Sequence, residues 1–428
     1  MAAQDPSSAK LRAARGRVSR LPVVEDRTGE RRRRTDPHRA RVMVVFGTRP
    51  EAIKLAPVVH VLRARGRLDV QVVVTGQHRE MLDQVLDVFD LHPDADLNLM
   101  TADQTLNGLA GRALERLDAV LADLAPDVVV VQGDTTTAMA AALAAFHRRI
   151  PAAHVEAGLR TDDRENPFPE EMNRRLVGRI AAWHFPPTAG ARENLLREHI
   201  PADTVLVTGN TVIDALHMVR RPDYRFTDPG LAPAAAWPGR LIVLTTHRRE
   251  NLGEPLRRVY GAVRRLLERF PDVAVVFPVH RNPHVRAAAQ ELEGAERAIL
   301  MEPPHYLDFV HLLQRSHLVL TDSGGIQEEA LALGKPVLVL RTTTERPEGV
   351  LAGGARLVGT DPDRIEQEAA RLLTDDGAYH AMATAPNPYG DGRAAERIAR
   401  ALEHIFGWEP EWPEEFVFRP ACDKRPLF

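Results

Sequence analysis

The 428-residue chain is 44% hydrophobic with a net charge of −3, long enough for two ordinary domains that each bury a core. Its near-neutral charge and 5% aromatic content argue against a dedicated nucleic-acid surface. No apolar stretch is long enough to cross a bilayer, and no N-terminal segment resembles a secretory signal. The single cysteine, Cys422, excludes a disulfide framework within one chain. We therefore expect a cytoplasmic protein without membrane insertion or a nucleic-acid partner.

Residues 1–40 differ in composition from the rest of the chain. They contain eleven Lys/Arg against five Asp/Glu and almost no periodic apolar content. This composition is typical of a disordered extension, so we predict a disordered basic arm over residues 1–40. An arm that binds an anionic partner is the alternative, and we favour the passive extension.

Short apolar runs alternate with longer amphipathic segments from residue 41 onward. The runs read VMVVF, VQVVVTG, DVVVVQG, AAHVEAG, AWHFPPT and TVLVTG. Continuous apolar strands that alternate with helices predict a parallel sheet covered on both faces. We predict an N-terminal Rossmann-like domain over residues 41–219. Residues 220–240, rich in Pro and Gly, are interpreted as a linker.

The same alternation restarts after the predicted linker. Its runs read RLIVLTTH, VAVVFPVH, AILMEP, HLVLTD, PVLVLR and ARLVG, which predicts a second Rossmann-like domain over residues 241–391. A closing helix is predicted over residues 392–406 and an irregular tail over residues 407–428. The predicted fold class is α/β with two doubly wound domains. Ligands of such sheets bind at the carboxyl ends of the strands, so we expect the active site in the inter-domain cleft.

An anion-binding loop is predicted within the segment LVLTDSGGIQEEALALGKPVLVL. A strand ends and a helix begins at once, so the amides around Ser323, Gly324 and Gly325 lie at a helix N-terminus, where anionic oxygens are stabilised. The loop matches neither a Walker sequence nor GxGxxG, which argues against ATP or NAD. Glu329, further into the helix, could accept both ribose hydroxyls of a nucleotide. The alternative is a surface helix with two ordinary acids, Glu328 and Glu329.

Three cations follow predicted strands in loops or first helical turns. Arg49 and Lys54 follow the first strand in FGTRPEAIK, and Arg346 lies in RTTTERPEG. Placed at strand ends, they could neutralise a pyrophosphate. The alternative for each one is a solvated surface charge.

Acidic residues form a second group of candidates. Asp134 in VVVQGDTTT and Glu156 in AAHVEAG directly follow apolar strands, so both carboxylates could perform acid–base chemistry. A helix N-cap is the alternative for Asp134. Glu170 and Arg174 stand four residues apart in PFPEEMNRRL, a spacing that usually only supports a helix.

Two histidines follow the first two strands of the predicted second domain. His247 lies in LTTHRREN and His280 in FPVHRNP, and a structural role is the alternative for each. The chain offers no Asp-x-Asp after a strand for a divalent ion and no Gly-x-Ser-x-Gly nucleophile. We therefore expect neither a metal site nor covalent hydrolase chemistry.

Taken together, these motifs resemble the non-hydrolysing UDP-N-acetylglucosamine 2-epimerases. The similarity is carried in order by FGTRPEAIKLAPVV, TGQHREMLDQVLDVFDL, QGDTTT, HVEAGLRT, PFPEEMNRRL, TGNTVIDAL, THRRENLG, PVHRNP and LTDSGGIQEEALALGKPVLVLRTTTERPEG, and it spans about residues 42–406. The resemblance implies a GT-B fold and reversible interconversion of UDP-N-acetylglucosamine and UDP-N-acetylmannosamine without a metal or nicotinamide cofactor. It also implies a homodimer and a role in cell-surface polysaccharide biosynthesis.

The resemblance implies a mechanism and assigns residues to it. A base removes the C2 proton while UDP leaves C1, which gives a 2-acetamidoglucal; UDP then adds back and a proton returns to the opposite face of C2. Asp134, Glu156 and Glu170 match the family's catalytic acids, Arg174 holds their arrangement, and His247 lies at the phosphate end. Which carboxylate takes the proton stays open. The residues that match UDP-binding positions are Arg49, Lys54, Phe309, Ser323, Gly324, Gly325, Glu329 and Arg346.

Some members of the family bind a second substrate molecule as an activator. Gln77 and His280 match that site, but Glu80 and Asp103 stand where glutamine and arginine are common in relatives. We therefore keep Gln77 and His280 only as candidate allosteric residues. Two rival functions also stay open: a hydrolysing epimerase that releases N-acetylmannosamine and UDP, and a non-catalytic sensor of sugar nucleotides.

Overall fold

The structure, a computed structural model of the chain, describes residues 39–76, 79–101 and 104–419. Within these ranges the chain forms two compact units: the first runs up to Thr211 and includes Gly392–Val417, and the second is Val212–Asp391. Residues 1–38 of the predicted arm lie outside the described residues. No helix in the described ranges is long and apolar enough to span a membrane.

The first unit is built on a six-stranded parallel sheet. Its strands and helices are β1 (Ala40–Phe46), α1 (Arg49–Arg65), β2 (Leu68–Val74), α2 (Arg79–Val88), β3 (Ala95–Asp96), α3 (Leu106–Leu124), β4 (Val128–Gln132), α4 (Thr136–His147), β5 (Ala152–Val155), α5 (Glu170–Ile180), β6 (Trp183–Phe185) and α6 (Ala189–Arg197). The strand order is β3-β2-β1-β4-β5-β6, with Val42 opposite Val128 where β1 pairs with β4. The order reverses between β1 and β4, where doubly wound sheets bind their ligands.

The second unit repeats this architecture. After α7 (Thr211–Val219), its strands and helices are α8 (Ala232–Ala236), β7 (Arg240–Thr245), α9 (Glu254–Arg269), β8 (Val273–Pro278), α10 (Pro283–Ala289), β9 (Ala298–Met301), α11 (Tyr306–Arg315), β10 (Leu318–Thr321), α12 (Gly324–Ala332), β11 (Val337–Val339), α13 (Pro347–Leu351), β12 (Ala355–Leu357), α14 (Pro362–Thr374) and α15 (Asp376–Ala383). The strand order is β12-β11-β10-β7-β8-β9, all parallel, so the reversal lies between β7 and β10. The predicted class of two doubly wound α/β domains is confirmed.

Each sheet is covered by helices because its strands are apolar on both faces. In the first unit, Met43 and Val45 of β1 pack in one cluster with Leu117 of α3. In the second, Ile242 and Leu244 of β7 belong to the cluster that α9 and α14 complete. Buried parallel strands of this kind read as continuous hydrophobic runs, which explains why the sequence predicted them.

One predicted strand of the first unit is wrong. The run TVLVTG, residues 204–209, forms only an isolated bridge in which Val205 pairs with His184 of β6. The run still lies beside β6, since the Leu206 amide donates to the His184 carbonyl and the Thr208 amide to the Pro186 carbonyl, each at 3.0 Å, but it forms no regular strand. The two-residue strand β3 was not predicted, since it is too short to have a periodicity of its own.

The chain returns to the first unit near its end. Helix α16 (Ala394–Ile405) carries the fully buried Glu403, whose two carboxylate oxygens accept hydrogen bonds from Arg65 of α1 at 2.8 and 2.7 Å. Beyond it, the Phe416 amide donates to the Val207 carbonyl at 2.8 Å. The ion pair between Arg65 and Glu403 therefore joins the predicted closing helix to the first unit.

The segment predicted as a linker lies within the second unit. Residues 220–240 include a 3₁₀ turn at Pro229–Leu231 and helix α8. Its Tyr224 hydroxyl and its Thr227 amide and hydroxyl donate to the fully buried Asp308 carboxylate at 2.7 to 2.9 Å. The units divide between Thr211 and Val212, near the start of α7, whereas the predicted boundary is at residue 219.

Candidate active site

The turn between β1 and α1 holds the first predicted cations. Thr48 caps α1 and its hydroxyl accepts a hydrogen bond from the Glu51 amide, while the Glu51 carboxylate accepts one from the Thr48 amide, which completes a capping box. Arg49 is the first residue of α1 and Pro50 the second. Arg49 is half-buried, and Lys54 lies one turn further along the helix.

Glu51 was not predicted as a site residue, yet it joins two loops. Its buried carboxylate accepts from the Gly47 amide at 3.1 Å, the Thr48 amide at 2.8 Å and the Thr135 hydroxyl at 2.7 Å. Burial raises the pKa of Glu51, and these hydrogen bonds oppose that rise. The loop after β1 is thereby tied to the loop after β4, which carries Asp134.

Glu156 directly follows β5 and gathers several hydrogen-bond donors. Its carboxylate receives Lys54 Nζ at 2.8 and 2.6 Å, the Asn210 amide at 3.0 Å and the Gln132 amide. The residue is buried and its backbone is left-handed, with φ of 59°, a conformation that is costly for a residue with a side chain. Lys54 is thus directed at a carboxylate. A role for Lys54 at a pyrophosphate stays a prediction.

Asp134 follows β4, but it is not the cap of α4. Thr135 caps that helix, accepting from the Ala138 amide at 3.0 Å, so the N-cap interpretation of Asp134 is wrong. The Asp134 carboxylate instead accepts from Arg174, and the Asn173 amide donates to the Asp134 backbone carbonyl at 3.0 Å. Asp134 therefore faces the residues of α5.

Helix α5 pairs its charges differently from the spacing in the sequence. Arg174 donates to the fully buried Glu171 at 3.3 Å and to Asp134, rather than to Glu170 four residues earlier. Glu171 also pairs at 2.9 Å with Arg175, four residues later on the same helix. Glu170 is half-buried on the first turn of α5 and makes no ion pair with the residues that the structure describes.

A fully buried histidine supports the turn before Asp134. His154 Nε2 lies 2.8 Å from the Gly133 carbonyl oxygen, to which the neutral ring donates. Burial, with a further contribution from His184, lowers the pKa of His154 to about 3. His154 therefore stays neutral near pH 7 and acts as a structural hydrogen-bond donor. An added Cβ on Gly133 would lie 3.7 Å from Glu156 Oε2, so this turn and the Glu156 carboxylate are neighbours.

In the second unit, His247 follows β7 as predicted and pairs with a buried carboxylate. Its Nδ1 lies 3.0 Å from Oδ1 of Asp322, which follows β10 and is fully buried. His280, after β8, is exposed, and its ring centroid lies 5.8 Å from that of His247. Gln77, the other candidate allosteric residue, lies outside the described residues.

The loop between β10 and α12 has the predicted form. Helix α12 begins at Gly324 directly after Ser323, whose side chain does not cap the helix, and the Ser323 amide donates to the Thr321 hydroxyl at 2.9 Å. A Cβ at position 324 would clash with the Arg346 guanidinium, so a larger residue there would displace that side chain. Because the Ser323 amide already donates to Thr321, the amides that stand at this helix N-terminus in a position suited to an anion are those of Gly324 and Gly325.

The two acids of α12 are not surface charges. Glu328 and Glu329 are both buried, so the alternative of an ordinary surface helix is wrong. Glu329 Oε1 accepts from the Tyr306 hydroxyl at 3.1 Å. Phe309 is half-buried on α11, three residues beyond Tyr306.

Arg346 is buried in a network of charges. It donates to Glu328 and, at 3.0 Å, to Glu345, which also receives Arg248 at 2.8 Å and Arg341 at 2.5 Å. Burial raises the pKa of Glu345, but the three arginines outweigh it and hold the pKa far below its usual range. The alternative of a solvated charge is wrong for Arg346. A role for Arg346 at a phosphate stays a prediction.

Comparison with known proteins identifies the family. A family model described as UDP-N-acetylglucosamine 2-epimerase matches residues 60–403. The UDP-N-acetylglucosamine 2-epimerase of Bacillus subtilis is 52% identical over 378 residues, across 88% of this chain and 98% of that protein. The chain belongs to this epimerase family. The two predictions, membership of the non-hydrolysing UDP-N-acetylglucosamine 2-epimerase family and isomerase as the enzyme class, are thereby confirmed.

Solved structures of relatives agree with this assignment. The Neisseria meningitidis UDP-GlcNAc 2-epimerase bound to UDP-GlcNAc has a TM-score of 0.81 and 46% identity, covering 85% of this chain and all of that one. An S. aureus MnaA–UDP structure has a TM-score of 0.82 and 46% identity, covering 88% and 100%. The likeness confirms the GT-B fold class. In the described residues of our protein, no three His, Cys, Asp or Glu side chains are grouped to hold a metal ion.

Proposed function

We propose that this protein interconverts UDP-N-acetylglucosamine and UDP-N-acetylmannosamine by eliminating UDP and adding it back to a 2-acetamidoglucal. The observation that carries this proposal is the acid–base cluster of Lys54, Asp134, Glu156 and Arg174 in a chain of this family. Relatives bound to UDP-GlcNAc and to UDP support the choice of substrate. UDP and UDP-N-acetylglucosamine are therefore the proposed partners, and no cofactor is invoked.

Elimination needs a base and a stabilised leaving group. A carboxylate takes the proton from C2, the electron pair of the C2–H bond forms the C1–C2 double bond, and the C1–oxygen bond breaks with its electrons leaving on UDP. In the return step UDP attacks C1 and a proton is delivered to the other face of C2. The cycle therefore needs two proton-transfer groups, and Asp134, Glu156 and Glu170 are the candidates.

Lys54 and Arg174 prepare the carboxylates for this work. Lys54 contacts both oxygens of Glu156 within 2.8 Å, and Arg174 contacts Asp134, so each carboxylate is oriented by a cation in a largely buried setting. We therefore assign Lys54 to Glu156 in place of the pyrophosphate role expected from its position. Oriented charges of this kind act without reorganisation during the reaction.

The second unit supplies the nucleotide-binding groups. The Ser323 hydroxyl and the amides of Gly324 and Gly325 suit the diphosphate, and Glu329, held by Tyr306, suits the ribose hydroxyls. Phe309 is assigned to the uracil side, while Arg49 and His247 are assigned to the charge that develops on departing UDP. The resemblance further suggests a homodimer, and the single cysteine suits a reducing cytoplasm.

Proton NMR tests the proposal directly. The purified full-length chain is incubated with UDP-N-acetylglucosamine in deuterated water with EDTA and without nicotinamide cofactor. We expect UDP-N-acetylmannosamine signals together with deuterium at C2 of both sugar nucleotides. Accumulation of free N-acetylmannosamine and UDP would favour the hydrolysing reaction, and binding without turnover would favour a sensor.

A further inference from the structure

Asp322 is a buried acid that has no assigned role so far. Several of its contacts are with His247, one of the predicted site residues. Its carboxylate is fully buried and accepts from the His247 amide at 3.1 and 3.0 Å, the Arg248 amide at 3.0 Å and the Asn251 side chain at 3.1 Å. Its Oδ1 also lies 3.0 Å from His247 Nδ1. Asp322 therefore contacts both the backbone and the ring of His247.

The contact with the ring defines which nitrogen carries a proton. An ionised carboxylate has no proton to donate, and an unprotonated Nδ1 at 3.0 Å would turn its lone pair towards the carboxylate, so the contact favours a proton on Nδ1. Although burial raises the pKa of Asp322, the His247 ring and the backbone amides lower it overall, which keeps the carboxylate ionised near pH 7. The other ring nitrogen, Nε2, is turned away from Asp322, and the His247 side chain is 38% exposed.

We propose that Asp322 is a positioning residue for His247: it holds the imidazole in the Nδ1-protonated form and presents Nε2 to the departing UDP. This assignment rests on the proposed function, because it places Nε2 at the leaving group. Asp322 itself touches no reacting atom. Its effect on turnover therefore passes through His247.

The same contacts could in principle serve only to anchor a loop. The Asn251 side chain bridges Asp322 and the Leu340 carbonyl at 3.1 Å each, and Arg248 Nε lies 3.3 Å from the Asp322 carbonyl. An anchor would support the loops after β7, β10 and β11 equally well with either tautomer of His247. The ring tautomer is therefore the quantity that separates positioning from anchoring.

The first test is the tautomer of His247 in the full-length protein. Histidine labelled with ¹⁵N in the ring is incorporated, the His247 signals are assigned with the variant His247→Gln, and long-range ¹H–¹⁵N spectra are recorded over a pH series with and without UDP. We expect Nδ1 to be protonated at every pH. A neutral ring protonated only on Nε2 would overturn the proposal, and this result requires neither turnover nor a variant of Asp322.

The second test is Asp322→Asn, whose amide NH₂ offers His247 Nδ1 a donor instead of an acceptor. We expect the tautomer to invert and kcat to fall at least about tenfold, with Kd for UDP within about threefold of wild type. Asn251→Ala is the matched control, since it removes another partner of Asp322 without touching the ring. Asn251→Ala should retain the Nδ1–H tautomer of His247, and its kcat should stay within about threefold of wild type.

A double variant completes the test. In a His247→Gln background, Asp322→Asn should lower kcat no further than about twofold, because the ring on which it acts is gone. An equal loss in both backgrounds would show that Asp322 only anchors the loop. A wild-type protein that binds UDP but does not epimerise would instead contradict the proposed function, while the tautomer measurement would still decide the role of Asp322.

Discussion

The ion pair between Lys54 and Glu156 leads to a quantitative prediction for stability. The Lys54 side chain is 12% exposed and that of Glu156 is 4% exposed, with 2.6 Å between Nζ and Oε2. Removing one partner of a buried pair leaves the other charge uncompensated, which typically costs about 3–5 kcal/mol. Lys54→Met retains a straight side chain, and Glu156 keeps its amide donors Gln132 and Asn210. We therefore expect Lys54→Met to lower the free energy of unfolding by about 3 kcal/mol.

The double variant separates the ion pair from the packing of the two side chains. Glu156→Gln alone should destabilise the first unit for the same reason, because it leaves the Lys54 ammonium buried. In Lys54→Met/Glu156→Gln both charges are gone, and we expect a cost smaller than the sum of the two by at least about 2 kcal/mol.

Two measurements are needed, one for the total loss of stability and one for its location in the chain. Urea unfolding gives the total cost, and hydrogen–deuterium exchange of peptides from β4 and β5 locates it, with peptides from β8 as the internal control. Single costs that add to within about 0.5 kcal/mol in the double variant would contradict a direct interaction between the two charges. Equal loss of protection in β8, which belongs to the second unit, would contradict a cost confined to the first unit.

Four further outcomes follow from single contacts. Asp134→Asn should abolish turnover measured by NMR while Kd for UDP from calorimetry changes less than about tenfold, or about 1.4 kcal/mol; normal turnover would refute its role. Tyr306→Phe should weaken the binding of UDP by about 1 kcal/mol but leave the binding of 2′,3′-dideoxy-UDP unchanged. Equal weakening for both ligands would rule out a ribose contact. Arg65→Met should cost about 3–5 kcal/mol in urea unfolding because its partner is buried, whereas Arg148→Met, at an exposed pair, should cost under about 1 kcal/mol. Because the pKa of Glu345 is lowered in the folded protein, its ion pairs stabilise the fold above the unfolded pKa of 4.5, and this stability is lost as the pH falls towards the folded pKa. In Glu345→Gln, the free energy of unfolding should therefore depend less steeply on pH below 4.5 than in the wild type. An unchanged slope would contradict this expectation.

The positions of most strands along the chain, and the residues that follow their carboxyl ends, were predictable from the sequence. Eleven of the twelve apolar runs quoted above became strands of two parallel sheets, because a strand buried on both faces must be apolar along its length. Asp134, Glu156, His247 and Ser323 were placed after strands by the same reasoning. The exception, TVLVTG, is equally apolar, and hydrophobicity alone does not distinguish a buried loop from a buried strand.

Which charges meet was decided only by the tertiary structure. Arg174 pairs with Asp134, 40 residues away, and not with Glu170 one turn before it, and Lys54 pairs with Glu156, 102 residues away. The sequence did not predict roles for Glu51, Asp322 and Tyr306 for the same reason. Each of them forms a hydrogen bond or ion pair with a residue of another loop or helix.

The sequence by itself therefore determined eleven of the strands, the parallel sheet class and the family, since these depend on local periodicity and on the order of motifs. The partners of the buried charges, the return of α16 to the first unit and the tautomer expected at His247 depend on groups brought together by folding. Their energies come from distances and burial, which residue spacing along the chain does not specify.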